Sequence, residues 1–163
     1  MLTSKLSLGT LALTFLLTGC VTSSNIQLVD TVAFDINFKI SNVTIKNNTG
    51  QTFDIDIAAM LSQAAKAELM KKDIYLEDTL AYSFNISIVQ YEKGNAFARW
   101  MLPGMGKTIL SVEANMKNKN GEIVAQSQAT RSIGAGGGYT IGAWKKVFQD
   151  VSETLVSDLL SVR

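Results

Sequence analysis

Alternating apolar and polar residues predict the first strand of the fold, over residues 33–46. In an extended chain every second side chain shares one face, and the apolar members of that face are Phe34, Ile36, Phe38 and Ile40. The apolar positions then shift to Val43 and Ile45, so the pattern slips by one residue near Ser41 and Asn42. A β-bulge or a break into two strands would produce that slip.

Apolar residues at helical spacing predict two helices, at about residues 54–72 and about residues 143–162. Thr52 or Asp54 can cap the first helix, because a side-chain oxygen at that position accepts a backbone N–H of the first turn. Alanines in the apolar stripe of this helix allow a close approach to a sheet. The stripe of the second helix is Trp144, Val147, Phe148, Val151, Leu155 and Leu159.

Three further strands are predicted at about residues 80–91, 107–118 and 122–132. Asn120-Gly121 between the last two is typical of a type I′ hairpin turn. With these two residues as the loop, apolar positions of one strand face small residues of the other, and polar positions face polar ones. The predicted pairs are Met116 with Ala125, Ala114 with Ser127, Val112 with Ala129, Asn115 with Gln126, Glu113 with Gln128 and Lys119 with Glu122.

The predicted order of elements is β-α-β-β-β-α, with room for extra edge structure at residues 43–46 or 96–101. Apolar stripes on two helices and one apolar face on a sheet are buried together when both helices lie on that face. The sequence therefore predicts an α+β fold, a mostly antiparallel sheet of about four strands with two helices packed on one face.

The N-terminus carries a short apolar run, from Leu6 to Leu17, preceded by the basic residue Lys5. A membrane-spanning helix needs about 20 apolar residues, so this run is too short to cross a bilayer. Its length matches the apolar region of a secretory signal peptide, which is about 7–15 residues. The run leads directly to Cys20, the only cysteine of the chain.

The stretch Leu17-Thr18-Gly19-Cys20 resembles the lipobox of bacterial lipoproteins. The resemblance implies that the Cys20 thiol receives a diacylglyceryl group, that cleavage falls between Gly19 and Cys20, and that the new amine is acylated. It also implies that Val21, which stands where an aspartate would retain the protein at the inner membrane, directs it to the outer membrane, facing the periplasm.

The chain as a whole resembles small Gram-negative lipoproteins in which a lipobox precedes a compact periplasmic domain of unknown function. This resemblance implies three parts. Residues 1–19 are a lipoprotein signal peptide, residues 20–30 are the lipidated cysteine and a tether that begins with the polar stretch 21–25, and residues 31–163 are a single domain.

Composition excludes several classes of function. Loss of Lys5 lowers the basic count from 15 to 14, equal to the 14 acidic residues, so no basic excess points to nucleic acid. The chain has no histidine, and acylation consumes its one thiol. Zinc sites built on cysteine or histidine, and serine or cysteine hydrolysis assisted by histidine, are therefore excluded. No cofactor or metal site is predicted.

Residues 95–106 combine large apolar side chains with an arginine, a composition typical of protein contact surfaces. The candidate contact residues are Phe97, Arg99, Trp100, Met101 and Leu102. The alternative is a loop or an edge strand that folds over the core.

A second candidate is an anion site at the start of the last helix, where glycines precede two lysines. Its residues are Gly136, Gly137, Gly138, Lys145 and Lys146. The alternative is a flexible connection followed by two exposed lysines.

These observations favour a membrane-anchored, non-enzymatic interaction module of the cell envelope, with an envelope protein as its partner. It would act in assembly, transport or secretion. The alternative is a periplasmic carrier of a small apolar or lipid ligand held between the sheet and the helices. A large apolar cavity there would favour the carrier, whereas a tightly packed core would disfavour it.

Overall fold

Five strands and three helices make up the part of the chain that the computed structural model describes, residues 21–28, 37–77, 82–102, 105–134 and 142–161. The strands are β1 (Val21–Leu28), β2 (Ile40–Asn47), β3 (Tyr82–Glu92), β4 (Thr108–Lys117) and β5 (Ile123–Ile133). The helices are α1 (Ile57–Lys71), α2 (Ala96–Met101) and α3 (Ala143–Ser161).

The strands form one sheet in the order β1-β5-β4-β3-β2. Neighbouring strands are antiparallel except β2 and β3, which are parallel because α1 carries the chain across the sheet between them. The predicted α+β class, the mostly antiparallel sheet and the order β-α-β-β-β-α are confirmed, with α1 and α3 packed together over the sheet. The strand β1 at one edge is an addition to that prediction, and residues 96–101, where extra edge structure was expected, form the short helix α2 instead.

The strand β1 corrects the predicted tether. Its residues pair antiparallel with β5 over the whole strand, from Val21 opposite Ser132 to Leu28 opposite Ala125. The tether prediction rested on the polar composition of residues 21–25. Polar composition does not exclude an edge strand, since the pairing is made by backbone groups and such strands often carry polar side chains. Residues 33–36, the predicted start of the first strand, lie outside the described part of the chain.

The alternation of apolar and polar residues predicted two features of strand register. The register between β2 and β3 shifts between Ile40 and Asn42, which confirms the predicted slip; since β2 continues through it as one strand, the slip is not a break into two strands. The hairpin of β4 and β5 has the predicted register from Met116 opposite Ala125 onward to Val112 opposite Ala129.

The hairpin turn differs from the predicted type I′ form. The Gly121 N–H donates to the carbonyl of Asn118, and Gly121 has a φ of 83° whereas Asn120 does not have a positive φ. The Asn118 Oδ1 atom accepts the N–H groups of Asn120 and Glu122, so the side chain of Asn118 closes a longer loop. Because that loop is longer, Asn118 rather than Lys119 lies opposite Glu122.

The core lies between the sheet and the helices α1 and α3. Side chains from both layers are fully buried there, among them Phe38, Phe84, Phe148, Leu61, Leu69, Ile86, Leu110 and Met116. Asp56, and neither Thr52 nor Asp54, caps α1, because its Oδ1 atom accepts the Ala59 N–H at 2.9 Å. Asp54 instead lies 2.8 Å from Lys93 Nζ, an ion pair that ties the start of α1 to the end of β3.

Candidate functional site

The predicted contact residues form the short helix α2 and its C-terminal flank, rather than a loop or an edge strand. We call Asn95–Leu102 together with Met105 the α2 segment. Phe97 is 66% exposed, and Met101, Leu102 and Met105 are each more than half exposed. Trp100 belongs to the helix, but its side chain lies outside the part of the molecule that the structure describes. The α2 segment therefore presents four large apolar side chains to solvent, which is unusual for one short stretch.

Arg99 does not belong to this exposed surface, which corrects the sequence prediction. Its side chain points into the molecule and is buried, with Nη1 donating to the Gly106 carbonyl at 2.9 Å and to Thr108 Oγ1 at 2.8 Å. The Thr108 hydroxyl in turn donates to the Lys93 carbonyl at 2.8 Å. Arg99 therefore joins α2 to the backbone on both sides of the connection between β3 and β4.

Hydrogen bonds and close contacts of the backbone also fix the α2 segment, in addition to the Arg99 side chain. Asn95 caps the helix, since its Oδ1 atom accepts the N–H groups of Phe97 and Ala98, and its own N–H donates to the Gly106 carbonyl. Gly94 has a φ of 69°, and a Cβ atom at this position would lie 2.5 Å from the Lys107 carbonyl oxygen. The chain segments before and after α2 are therefore in direct backbone contact, at Gly94 and at residues 106–107. The exposed apolar side chains of the α2 segment project from this closely packed backbone.

The α2 segment lies at the same end of the sheet as the first residue of β1. Val21 lies opposite Ser132, Ser132 opposite Ile109, and Ile109 opposite Glu92, so one row crosses four strands. The connection that contains α2 begins immediately after Glu92. We call this the Val21 end of the sheet.

Cationic side chains also gather at the Val21 end. Lys93 and Lys145 each place Nζ 5.3 Å from the centre of the Trp144 ring, and Trp144 opens α3. Lys146 Nζ lies 3.8 Å from Asp150 Oδ1. The hydrogen bond from Lys93 and its positive charge lower the pKa of Asp54 below its usual value.

The predicted anion site is only partly within the described residues. Gly136, Gly137 and Gly138 lie outside them, as do Gly19 and Cys20 of the predicted cleavage and lipidation site. Lys145 and Lys146 are exposed on the first turn of α3, where each has the protein contact given above. The anion site therefore stays a prediction.

Tyr91 is a buried titratable group beneath this end of the sheet. Its ring packs against Phe53 and Phe148, with centroids 5.1 and 5.5 Å away, and its hydroxyl has no hydrogen-bond partner among the described residues. Burial, with a smaller contribution from the negative charge of Asp54, raises the pKa of Tyr91 to about 12.

The raised pKa of Tyr91 predicts a loss of stability in alkali. In the unfolded chain the phenol loses its proton near pH 10, whereas the folded protein keeps it until about pH 12, so the free energy of unfolding should fall across that interval. In Tyr91→Phe this part of the fall should disappear, and stability at pH 7 should be unchanged or higher, because an unpaired buried hydroxyl is removed. Urea unfolding at pH 8 and pH 11 measures both; the same alkaline loss in the two proteins would contradict the assignment.

A groove of about 580 Å³ runs between α1 and α3. Its polar lining is Gln63, Glu68, Lys71, Lys145, Gln149 and Glu153. The groove lies beside the packed core, and the space between sheet and helices is filled by the fully buried side chains described above. This arrangement does not favour the carrier interpretation, which needs an apolar cavity between those layers.

The described part of the chain shows neither a metal centre nor a membrane-spanning helix. No group of three or more acidic or cysteine side chains in it is placed to hold a metal ion. None of its helices is long and apolar enough to cross a bilayer.

The fold is similar to that of two solved proteins. A single-residue variant of PelC from Paraburkholderia phytofirmans, described as a dodecamer, is 15% identical with a TM-score of 0.62, and the match covers 86% of this chain and 98% of that one. Protein XCC0632 from Xanthomonas campestris, described with the family name DUF330, is 10% identical with a TM-score of 0.52, covering 76% and 81%.

Sequence comparison gives a family and no closer relative. A comparison with curated proteins found no match. The model of the family DUF4410, a domain of unknown function, matches residues 39–137, which is more than half of the chain and runs from β2 through β5. The matched residues therefore include the α2 segment with its buried Arg99, and the glycines Gly94 and Gly106 that come before and after it. The chain belongs to the DUF4410 family.

Proposed function

We propose that this protein is a lipid-anchored, non-enzymatic interaction module of the bacterial outer membrane that faces the periplasm. The observation that carries the proposal is the position of β1, whose first residue, Val21, directly follows the cysteine of the lipobox-like stretch. Consecutive Cα atoms are about 3.8 Å apart, so an acylated Cys20 would hold the Val21 end of the sheet against the bilayer.

Such an attachment differs from that of a protein on a flexible tether. A single acyl chain binds a membrane only marginally, whereas two or three chains on one cysteine give stable attachment. With β1 paired to β5 from its first residue, the domain has little freedom to turn about its anchor. A fixed orientation presents the same surfaces of every copy to its neighbours at high effective concentration, which suits an interaction module.

Further copies of the same chain are the first partner that we propose. Among the described residues the sheet ends in two different edge strands, β1 and β2, and of these β2 is bridged on its outer side only at Ile40, by Tyr75. An edge offers unpaired backbone groups, and contacts between two different edges are head-to-tail contacts that close into rings when the rotation allows. The description of the structurally similar PelC as a dodecamer supports this choice of partner.

Replacement of the lipid attachment site tests the anchor. In Cys20→Ser the protein should leave the outer-membrane fraction, because no thiol remains to be acylated, while Thr22→Ser, a polar substitution two residues away, should stay in it. Mass spectrometry of the native protein should find the chain starting at an acylated Cys20. An intact Met1 or a free Cys20 thiol would contradict the anchor.

Native mass measurement of the detergent-solubilised protein should find an oligomer, and a monomer would contradict the proposed partner.

A further inference from the structure

The α2 segment presents an apolar surface at the end of the molecule where the chain emerges from its lipid anchor. Exposed large apolar side chains are otherwise scattered over the described residues, at Met70, Leu76 and Val89, whereas four of them fall within the α2 segment. Phe97 and Met101 are one helical turn apart and share a face of α2, and Leu102 and Met105 continue the surface beyond it.

The sheet register fixes how far this surface lies from the anchor. Three interstrand steps separate Val21 from Glu92 along one row, and each is about 4.8 Å, so the two residues are about 14 Å apart. The α2 segment starts three residues after Glu92. An acyl chain attached one residue before Val21 therefore enters the membrane within a helix diameter or two of the α2 segment.

We infer that the α2 segment lies in the interfacial region of the same bilayer that holds the acyl chains of Cys20, with Phe97, Met101, Leu102 and Met105 as its membrane-facing residues. The inference rests on the proposed lipid anchor. Apolar side chains of a short amphipathic element enter the boundary between headgroups and acyl chains without crossing the membrane. The anchor cysteine and this surface would together fix the tilt of the sheet relative to the membrane.

The surroundings of the α2 segment suit that environment. Lys107 lies two residues after Met105, and Lys93 lies two residues before Asn95; both side chains are exposed at the same end, where phosphate headgroups would be their neighbours. The one polar side chain of the helix interior, Arg99, is turned away from the surface; its Nη1 donates to the Gly106 carbonyl and to Thr108 Oγ1, while its buried Nε has no partner among the described residues. Membrane contact by the apolar face therefore leaves no charge of the helix in the hydrocarbon.

Depth-dependent quenching in vesicles tests this placement. Since acylation consumes Cys20, one introduced cysteine is the only free thiol and can carry an environment-sensitive fluorophore. Met105→Cys and Met70→Cys are a matched pair, because both side chains are 55% exposed. Met70 lies near the C-terminal end of α1, about 20 Å along the helix from its start beside the Val21 end.

The full lipidated protein is reconstituted into phosphatidylethanolamine–phosphatidylglycerol vesicles that contain a lipid with a nitroxide on its acyl chain. We expect labels at Phe97→Cys, Met101→Cys and Met105→Cys to be quenched at least about threefold more than the label at Met70→Cys. Equal quenching at positions 105 and 70, in protein that still floats with the vesicles, would overturn the inference and leave the lipid anchor intact.

Two further outcomes separate the remaining explanations. A blue-shifted emission at positions 97 and 101 without quenching by the lipid nitroxide would mean that protein, such as a second copy, covers the segment, and would overturn the membrane placement. Failure of the unlabelled lipidated protein to float with the vesicles would overturn the proposed anchor, and the inference that depends on it.

Discussion

Replacing Gly94 with alanine is expected to lower the free energy of unfolding by about 3 kcal/mol or more. The left-handed conformation alone, φ 69°, disfavours an L side chain by about 1–2 kcal/mol. The added Cβ would also lie 2.5 Å from the carbonyl oxygen of Lys107 and 2.6 Å from that of Gly106. Both neighbours are backbone atoms that cannot rotate away, so the two arms of the β3–β4 connection would have to separate. Equilibrium urea unfolding measures the loss.

Gly50→Ala is the matched control for Gly94→Ala. Gly50 has almost the same φ, 71°, but a Cβ there would meet no atom within 4 Å. This variant should lose only the conformational contribution, about 1–2 kcal/mol. Similar losses in the two variants would show that the close approach at Gly94 contributes nothing to stability.

Arg99→Ala is the second substitution with a large expected effect, a loss of about 2–4 kcal/mol. The substitution empties a buried volume and removes both hydrogen bonds of Nη1, one to the Gly106 carbonyl and one to Thr108 Oγ1. The Asn95 N–H, which also donates to the Gly106 carbonyl, should exchange with solvent faster as the α2 segment loosens. Urea unfolding and amide hydrogen exchange measure the two effects.

Arg99→Met separates volume from hydrogen bonding. Methionine fills much of the space without donating a hydrogen bond, and removal of a buried charge is in itself favourable, so its loss should be smaller than that of Arg99→Ala. Wild-type stability and exchange in Arg99→Ala would contradict the assignment of Arg99 as the residue that holds the α2 segment.

Local pattern was sufficient to predict most of the helices and strands because their side-chain periodicity is written in short stretches of the chain. The hairpin register follows from the turn position and the alternation of apolar residues around it, and the bulge near Asn42 follows from a slip in the same alternation. The parallel pairing of β2 with β3 and the addition of β1 depend on which distant backbone groups meet. Composition does not encode those meetings, and the polar first half of β1, residues 22–25, shows no alternation of apolar and polar residues to detect.

Composition singled out the stretch that forms the α2 segment, but it did not predict the geometry of that segment. The apolar residues at positions 97, 101 and 102 are exposed as a contact surface requires, whereas Arg99 is buried, since a guanidinium can serve either a surface or a backbone network. Sequence reasoning missed Gly94 and Thr108. The presence of a glycine just before and another just after the apolar stretch was the available signal, yet a close approach of two chain segments shows only in the structure.

The pairing of β1 with β5 sets the order in which this domain can assemble. Of the five strands β1 is synthesised first, but Ser132, the partner of Val21, lies about 110 residues later in the chain. The loop that must close to pair them therefore includes nearly the whole domain. Neighbouring segments such as β4 and β5 meet early, and distant ones meet late. Until β1 docks, the outer edge of β5 is open to pairing with other chains. If the N-terminus is already anchored at the membrane surface, β1 stays unpaired until β5 has formed. Chains anchored close together could then pair with one another instead of completing their own sheets.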